Sequence, residues 1–201
     1  TPVSRFFRRQ QGSRDLGGTR LVGLDRASGK RRWQVKPNEV ADRLSDAEFY
    51  GTPIGGPQRA FALARRHEMA GIEDVFVVAV APSTGEVLWH RHVASIVSAN
   101  RRATPPRLRM RLARGRLHIG GTMGTAAVLE ARTGTMQWVR VPQSLPEQLA
   151  RDFRRQPDNP TAMPPVLTRA GLVVARPALK EPALLLEPAT GETRRTLKGE
   201  H

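Results

Sequence analysis

The sequence predicts an all-β fold, a β-propeller built of four-stranded antiparallel blades, because one sequence pattern recurs four times along the chain. The copies are LVGLDRASGKRRW (21–33), FVVAVAPSTGEVLW (76–89), AAVLEARTGTMQW (126–138) and ALLLEPATGETRR (183–195). They align on a glycine, and these glycines are spaced by 49 to 57 residues. A repeat of this size is typical of propellers, solenoids and arrays, and the strand-rich content of each copy favours the propeller.

Each copy is predicted to form a β-hairpin. Apolar and β-branched residues precede the turn over the length of one strand, and an alternating pattern follows it. The turn glycine is expected in the left-handed region, where it has no Cβ to strain the backbone. Asp25 heads the first turn, where its carboxylate can accept backbone amides. The predicted turn residues are the glycines Gly29, Gly85, Gly134 and Gly191 and the hydroxyl residues before them, Ser28, Thr84, Thr133 and Thr190.

A second hairpin precedes the motif in the later copies and completes a blade of four strands. Leu108, Met110 and Leu112 alternate with arginines before a turn at Gly115. Val166-Leu167 and Leu172-Val173-Val174 have the same arrangement in copy four. We therefore predict one propeller region over 1–201 with about three and a half blades: a partial blade at 17–36, blades at 50–95, 103–142 and 160–199, and short helical connectors near 38–49 and 144–155. Since a propeller typically closes with four to eight blades, we expect a piece of a longer protein.

The pattern L-D-x-x-x-G-x-x-x-W of copy one, with its variants downstream, resembles the repeat of PQQ-like (quinoprotein-type, BamB-like) β-propeller proteins. That family includes quinoprotein alcohol dehydrogenases and non-enzymatic envelope propellers. The resemblance covers residues 17–199 and implies that Trp33, Trp89 and Trp138 dock onto the neighbouring blade. Arg195 takes the tryptophan position in copy four. The resemblance also implies a location in the cell envelope, or a periplasmic or secreted protein.

Three functions stay open, and the sequence favours a non-catalytic module that binds other proteins. The second is a fragment of a PQQ-dependent dehydrogenase, and the third is a surface for a polyanion or nucleic acid. We predict no catalytic residue, no cofactor and no metal site, because no ligand set of such an enzyme matches residue by residue. His90 and His92 share a strand face, but a metal needs further ligands, so we expect them to be solvated. The absence of cysteine excludes disulfides and thiolate metal sites.

The net charge of +15 comes mostly from arginines scattered through every copy. Such dispersal favours a compositional bias over a dedicated binding surface. The exception is Arg107, Arg109 and Arg111 on one face of a predicted strand, a candidate patch for an anionic partner. Nucleic acid is not favoured, because no stacking aromatic residues interleave with these arginines. No apolar run approaches the ~20 residues of a membrane-spanning helix.

Overall fold

The computed structural model describes residues 19–56, 58–68, 72–97, 108–121, 125–140, 166–168, 173–175 and 183–197. Their strands form one two-stranded sheet and three four-stranded sheets, all antiparallel. In each four-stranded sheet the spatial order of the strands follows the chain order. This arrangement confirms the predicted all-β fold with four-stranded propeller blades.

The four motif copies lie in four successive sheets, here called blades one to four. Blade one contains β1 (Leu21–Leu24) and β2 (Arg31–Val35). Blade two contains β3 (Ala47–Gly55), β4 (Ala60–His67), β5 (Ile72–Val80) and β6 (Val87–Val97). Blade three contains β7 (Leu108–Ala113), β8 (Arg116–Gly121), β9 (Ala126–Glu130) and β10 (Met136–Arg140). Blade four contains β11 (Val166–Leu167), β12 (Val173–Ala175), β13 (Ala183–Leu186) and β14 (Thr193–Leu197).

The connector between blades one and two is less helical than the sequence predicted. Helix α1 (Pro37–Val40) is a single turn, a 3-10 turn follows at Asp42–Leu44, and β3 already begins at Ala47. Short helical turns therefore lie near the predicted connector at 38–49, but they end at Leu44, and blade two begins at Ala47, three residues before the predicted start at 50. Lys36 is the N-cap residue of this helix, since Pro37 occupies the first helical position, and the backbone N–H of Lys36 donates to Glu39 Oε2 at 2.8 Å. The second connector, near 144–155, lies outside the described residues.

The apolar core lies between successive blades. Strands β4 and β5 are buried on both faces, since alternate residues point to blade one and to blade three. Phe61, Leu63, Val75 and Val77 pack toward blade three, and Ala62, Ala64, Phe76 and Val78 pack toward blade one. Leu44 of the connector is fully buried in the second of these clusters. Blade-on-blade packing is therefore the main source of burial among the described residues.

Two backbone irregularities have local causes. The β7–β8 hairpin closes with Arg114 at φ 50° and Gly115 at φ 73°, the positive φ pair of a two-residue hairpin turn. In β3 the pairing register shifts between Tyr50 and Ile54, where Gly51 has φ 70°. Such a bulge lets the strand accommodate Pro53, which has no N–H to donate.

Candidate functional site

The four motif turns have the same backbone hydrogen bonds. In each, the turn glycine donates its N–H to the carbonyl four residues earlier at 2.8 Å. The backbone N–H of the residue four positions before the glycine donates to the carbonyl oxygen of the residue that follows the glycine, at 2.7–2.9 Å. Because both bonds use only backbone atoms, Ala81 can replace the acidic residue of the other copies. The turn glycines all have positive φ: Gly29 68°, Gly85 78°, Gly134 71° and Gly191 75°.

The hydroxyl residue before each glycine adds a side-chain hydrogen bond to the turn. Its oxygen accepts the backbone N–H two residues on, at 3.2–3.3 Å, and the acceptors are Ser28, Thr84, Thr133 and Thr190. Asp25 Oδ1 accepts the N–H groups of Ala27 and Ser28 at 3.1 and 2.9 Å. The backbone hydrogen bond from Ser28 is the main cause that lowers the Asp25 pKa. These residues fix the shape of the turn and leave the glycine Cα open on one side.

Each motif tryptophan lies against the turn glycine of the next copy. A Cβ on any of these glycines would stand 2.6–2.7 Å from an indole carbon, closer than side chains tolerate. The indoles are half-buried, not fully enclosed. Two of them also donate their Nε1–H to a carbonyl of the same turn, that of Pro82 at 2.8 Å and that of Pro188 at 2.9 Å. The three pairs are Trp33 with Gly85, Trp89 with Gly134, and Trp138 with Gly191.

The middle pair differs in its hydrogen bonds. Trp89 Nε1 is buried and has no hydrogen-bond partner among the described residues. The residue that corresponds to Pro82 is Ala131, whose N–H donates to the Gly115 carbonyl at 2.9 Å. Arg91, two residues after Trp89, donates its Nε–H to the Gly134 carbonyl at 2.9 Å. This interface therefore gains an arginine contact that the sequence pattern did not indicate.

The predicted arginine patch is only partly within the described residues. Arg107 lies outside them, Arg109 is half-buried and Arg111 is exposed on β7. Arg111 stands opposite His118 of β8, a side chain that is 2% exposed. Burial is the main cause that lowers the His118 pKa, and Arg116 and Arg111 lower it further. His118 is therefore neutral at pH 7 and adds no charge to the two arginines.

Sequence reasoning missed a polar cluster at one end of blade two. His67 lies between two carboxylates, with Nε2 3.6 Å from Glu48 Oε1 and Nδ1 3.4 Å from Glu73 Oε1. Arg65 pairs with Glu48, and its guanidinium lies 5.4 Å from the centre of the Tyr50 ring. Burial is the main cause that raises the Glu73 pKa, against the opposing effects of Arg65 and His67. Alternation along β4 and β5 brings these residues to one face, but their separation in sequence gave no signal.

The opposite face of blade two joins a serine, a histidine and an aspartate. Ser95 Oγ donates to Asp74 Oδ1 at 2.6 Å, and His92 Nε2 lies 3.4 Å from the same oxygen. A catalytic triad needs the histidine between the other two residues, whereas here the serine proton already points at the carboxylate. Arg66 Nη2 also pairs with Asp74 at 2.9 Å, and the His92 ring packs edge-on against Phe76. The His92 side chain keeps 40% of its surface exposed, as expected of a solvated histidine, and the ion pair of the cluster joins Arg66 and Asp74.

Blade one presents a surface that is covered in the other blades. We call it the free face: the side of β1 and β2 away from blade two, with Arg20, Val22, Leu24, Arg31, Gln34 and the turn at Gly29. Val22 is 38% exposed and Leu24 is 62% exposed. A Cβ on Gly29 would meet nothing within 4 Å. The equivalent pairs in blades two and three, Val78 with Val80 and Ala127 with Leu129, are at most 1% exposed.

Two guanidinium groups converge on the free face. Arg20 Nη1 and Arg31 Nη1 both donate to Gln34 Oε1, at 3.4 and 3.0 Å. Among the described residues no carboxylate pairs with either arginine, whereas the neighbouring Arg32 lies 3.7 Å from Asp25. The free face therefore combines exposed apolar side chains with two positive charges that no carboxylate in the described part of the chain balances.

Within the described ranges no group of three or more histidine, aspartate or glutamate residues is arranged to hold a metal ion. In the same part of the chain no helix is long and apolar enough to cross a membrane.

Comparison with known proteins gives one family and several related folds. The family model described as "Outer membrane protein assembly factor BamB" matches residues 13–197. No curated protein matches the sequence. BamB from Moraxella catarrhalis has a similar structure, with a TM-score of 0.51 and 14% identity over 89% of this chain and 42% of that one. Quinohemoprotein alcohol dehydrogenase from Comamonas testosteroni has a TM-score of 0.55 and 13% identity over 87% of this chain and 32% of that one.

A europium-containing methanol dehydrogenase is similar to the same degree, with a TM-score of 0.51 and 14% identity over 87% of this chain and 37% of that one. The chain thus spans less than half of the length of each of these proteins. At such identities the likeness shows a shared fold and leaves the chemistry of this chain to its own residues.

Proposed function

Because the chain belongs to the PQQ-like repeat family described as outer membrane protein assembly factor BamB, we propose that it is a non-catalytic propeller module that binds other proteins in the bacterial cell envelope. The family description names a factor that assembles outer membrane proteins. That description supports both an envelope location and protein partners for this chain. The motif residues support a scaffold role, since in blades two to four they are engaged in turns and in packing between blades.

The observation that carries the proposal is apolar surface on the last strands of blades two and three. Leu88 of β6 is 39% exposed and Val139 of β10 is 44% exposed, and β10 also carries the exposed Arg140. Exposed apolar side chains together with arginine are typical of protein-binding surfaces, where arginine is enriched and contributes strongly to affinity. A partner on these strands would bury Leu88 and Val139.

The test is site-specific photo-crosslinking in intact cells. A photoreactive amino acid replaces Leu88 on β6, and a matched variant carries it at the exposed Thr52 of the β3 bulge. We expect a discrete protein adduct from the Leu88 position, recovered with the envelope fraction. Equal adducts from both positions, or recovery with the cytosol, would contradict the proposal.

The dehydrogenase alternative has its own measurement. Quinone chemistry needs a metal to polarise the cofactor and a base to take the substrate proton. Calorimetric titration of PQQ with calcium present, followed by a dye-reduction assay on simple alcohols, is expected to show neither binding nor turnover. Micromolar, calcium-dependent binding with turnover would favour the enzyme instead.

A further inference from the structure

The strands β7 and β8 of blade three have two unlike faces. One face belongs to the apolar cluster shared with blade two, through Leu108, Met110, Leu117 and Ile119. Because side chains alternate along a strand, the residues between these point away from blade two. That opposite face lies toward blade four, since β8 contacts β12. It carries four polar residues, here called the basic cluster: Arg109, Arg111, Arg116 and His118.

Strand pairing brings the basic cluster together. Arg111 stands directly opposite His118, and Arg109 stands opposite Gly120 in the next row of the same face. Directly opposite residues have their Cβ atoms about 5 Å apart, so the long arginine side chains reach one another. The guanidinium groups of Arg116 and Arg111 are close enough to His118 to lower the pKa of its ring. Three positive charges thus lie around one imidazole.

The basic cluster lacks the negative charge that would balance it. Among the described residues no carboxylate pairs with Arg109, Arg111 or Arg116. Glu130 of β9 stands opposite Arg116 but forms no ion pair with it. The strand of blade four that contacts β8, Val173–Ala175, is apolar. Three arginines and one glutamate leave this face with a net charge of +2 while His118 is neutral.

The His118 ring points independently to a ligand. The residue is only 2% exposed, and its Nδ1 is buried with no hydrogen-bond partner among the described residues. A buried polar atom without a partner is unfavourable, and most such atoms in folded proteins are bound to something. A group that hydrogen-bonds to Nδ1 would lie beside the guanidinium groups of Arg111 and Arg116.

We propose that the basic cluster binds a terminal phosphate group, as in inorganic phosphate or a phosphate monoester. Such a group has three free oxygens and a charge of about −1.5 to −2 at pH 7, which matches the net charge of the face. The guanidinium groups of the three arginines donate hydrogen bonds to these oxygens, and His118 donates one from Nδ1. A carboxylate or a phosphodiester carries a single charge, so either would leave part of the cluster unbalanced. The phosphate site is independent of the proposed protein-binding surface, which lies on the last strands of blades two and three.

The first measurement is calorimetric titration of the full chain with inorganic phosphate and with glycerol 3-phosphate at constant ionic strength. Arg109→Gln and Arg111→Gln each remove one positive charge, and each should weaken binding about tenfold, the usual effect of losing a charge-assisted hydrogen bond. Arg132→Gln changes an exposed arginine in the turn of copy three and is the matched control, which should leave the affinity unchanged. Equal weakening by all three substitutions, or no phosphate binding to the full chain, would overturn the inference.

Nuclear magnetic resonance of the unmodified protein tests His118 without a substitution at a buried position. Phosphate should shift the ring signals of His118 and should leave those of His90 and His92, on β6 of blade two, unchanged. At the same phosphate concentration the shift should be smaller in Arg111→Gln, because that variant binds less phosphate. Ring signals of His118 that do not respond to phosphate would reject the site.

Vesicle binding identifies the source of the phosphate group. Phosphatidylcholine vesicles are mixed either with phosphatidic acid, a monoester, or with phosphatidylglycerol, a diester. Binding to the first kind alone, lost in Arg111→Gln and competed by glycerol 3-phosphate, would support the site and assign it to a lipid headgroup. Binding of glycerol 3-phosphate without vesicle binding would support the site and assign it to a soluble phosphate.

A polyanion surface would give a different result. A single-stranded oligonucleotide without a terminal phosphate has only diester groups, so a site for a terminal phosphate should bind it more weakly than glycerol 3-phosphate. Tighter binding of the oligonucleotide, weakened as much by Arg132→Gln as by Arg111→Gln, would show that dispersed charge is responsible and would reject the phosphate site.

Discussion

Two alanine substitutions at equivalent glycines separate backbone strain from the docking of an indole. Gly29→Ala and Gly85→Ala place the same methyl group in the same turn, at φ 68° and φ 78°. At Gly29 the methyl meets nothing within 4 Å, whereas at Gly85 it would lie 2.7 Å from Trp33 Cδ2. Any difference between the two variants therefore measures the indole contact.

The magnitudes follow from this geometry. A non-glycine residue in the left-handed region costs about 1–2 kcal/mol, and both variants carry that cost. In Gly85→Ala the indole must also move. The displaced ring loses its hydrogen bond to the Pro82 carbonyl, worth about 1 kcal/mol, and overpacking adds about 1–3 kcal/mol. We expect a total loss of about 1–2 kcal/mol for Gly29→Ala and about 3–6 kcal/mol for Gly85→Ala.

The assay is thermal unfolding followed by circular dichroism, with a double-mutant cycle. For a chain of this size about 1 kcal/mol lowers the Tm by roughly 2–4 °C, so the Gly85 variant should melt several degrees below the Gly29 variant. In a Trp33→Ala background the ring is gone, and Gly85→Ala should add only the backbone cost. Equal Tm losses for the two glycine variants, or the same Gly85 effect with and without the indole, would refute the docking argument.

Three further predictions concern other parts of the chain. Arg114→Asn should raise the Tm by a few degrees, because asparagine tolerates positive φ before a turn glycine better than arginine does; an unchanged or lower Tm would contradict this. Glu73→Gln should stabilise the protein at pH 7, since burial raises the Glu73 pKa and makes its ionised form unfavourable in the folded state. The gain should vanish as the pH falls below the ordinary glutamate pKa of about 4.3, and urea unfolding at several pH values would show it. Finally, amides of 183–197 should exchange faster than those of 126–140 in hydrogen-exchange mass spectrometry, because copy four has no tryptophan; equal protection would contradict this.

The repeated part of the fold could be predicted from sequence because its causes are local. A turn glycine with a hydroxyl residue before it specifies one hairpin wherever it occurs, so four copies predict four equivalent turns. The connector near 38–49 was predicted to extend beyond Leu44, where its helical turns end. Leu44 and Ala47 are both buried, as they would be on the apolar face of one helix. In the structure, however, Leu44 lies in a 3-10 turn and Ala47 begins a strand. Propensity alone cannot separate these two ways of burying the same side chains.

The candidate sites were harder to predict, since they depend on pairing between strands. Glu48 and Glu73 come together at His67 only through the registers of β3 with β4 and of β4 with β5. The free face depends on a comparison between copies: Val22 and Leu24 have the same apolar character as Val78 and Val80, and differ only in what covers them. The sequence shows that a residue is apolar, but whether its side chain is buried depends on the neighbouring sheet.

The tryptophan contacts all run in one direction along the chain, and this has a consequence for synthesis on the ribosome. The hydrogen bonds from Trp33 to Pro82 and from Trp138 to Pro188 span 49 and 50 residues, about one repeat. Each indole is therefore made before the turn that receives it, and it stays exposed until one more repeat has emerged. Folding can then proceed repeat by repeat from the first copy to the last, with short delays between steps. A ribosome that stalls between two repeats would hold a nascent chain with one uncovered indole at its growing end, the kind of surface that chaperones bind.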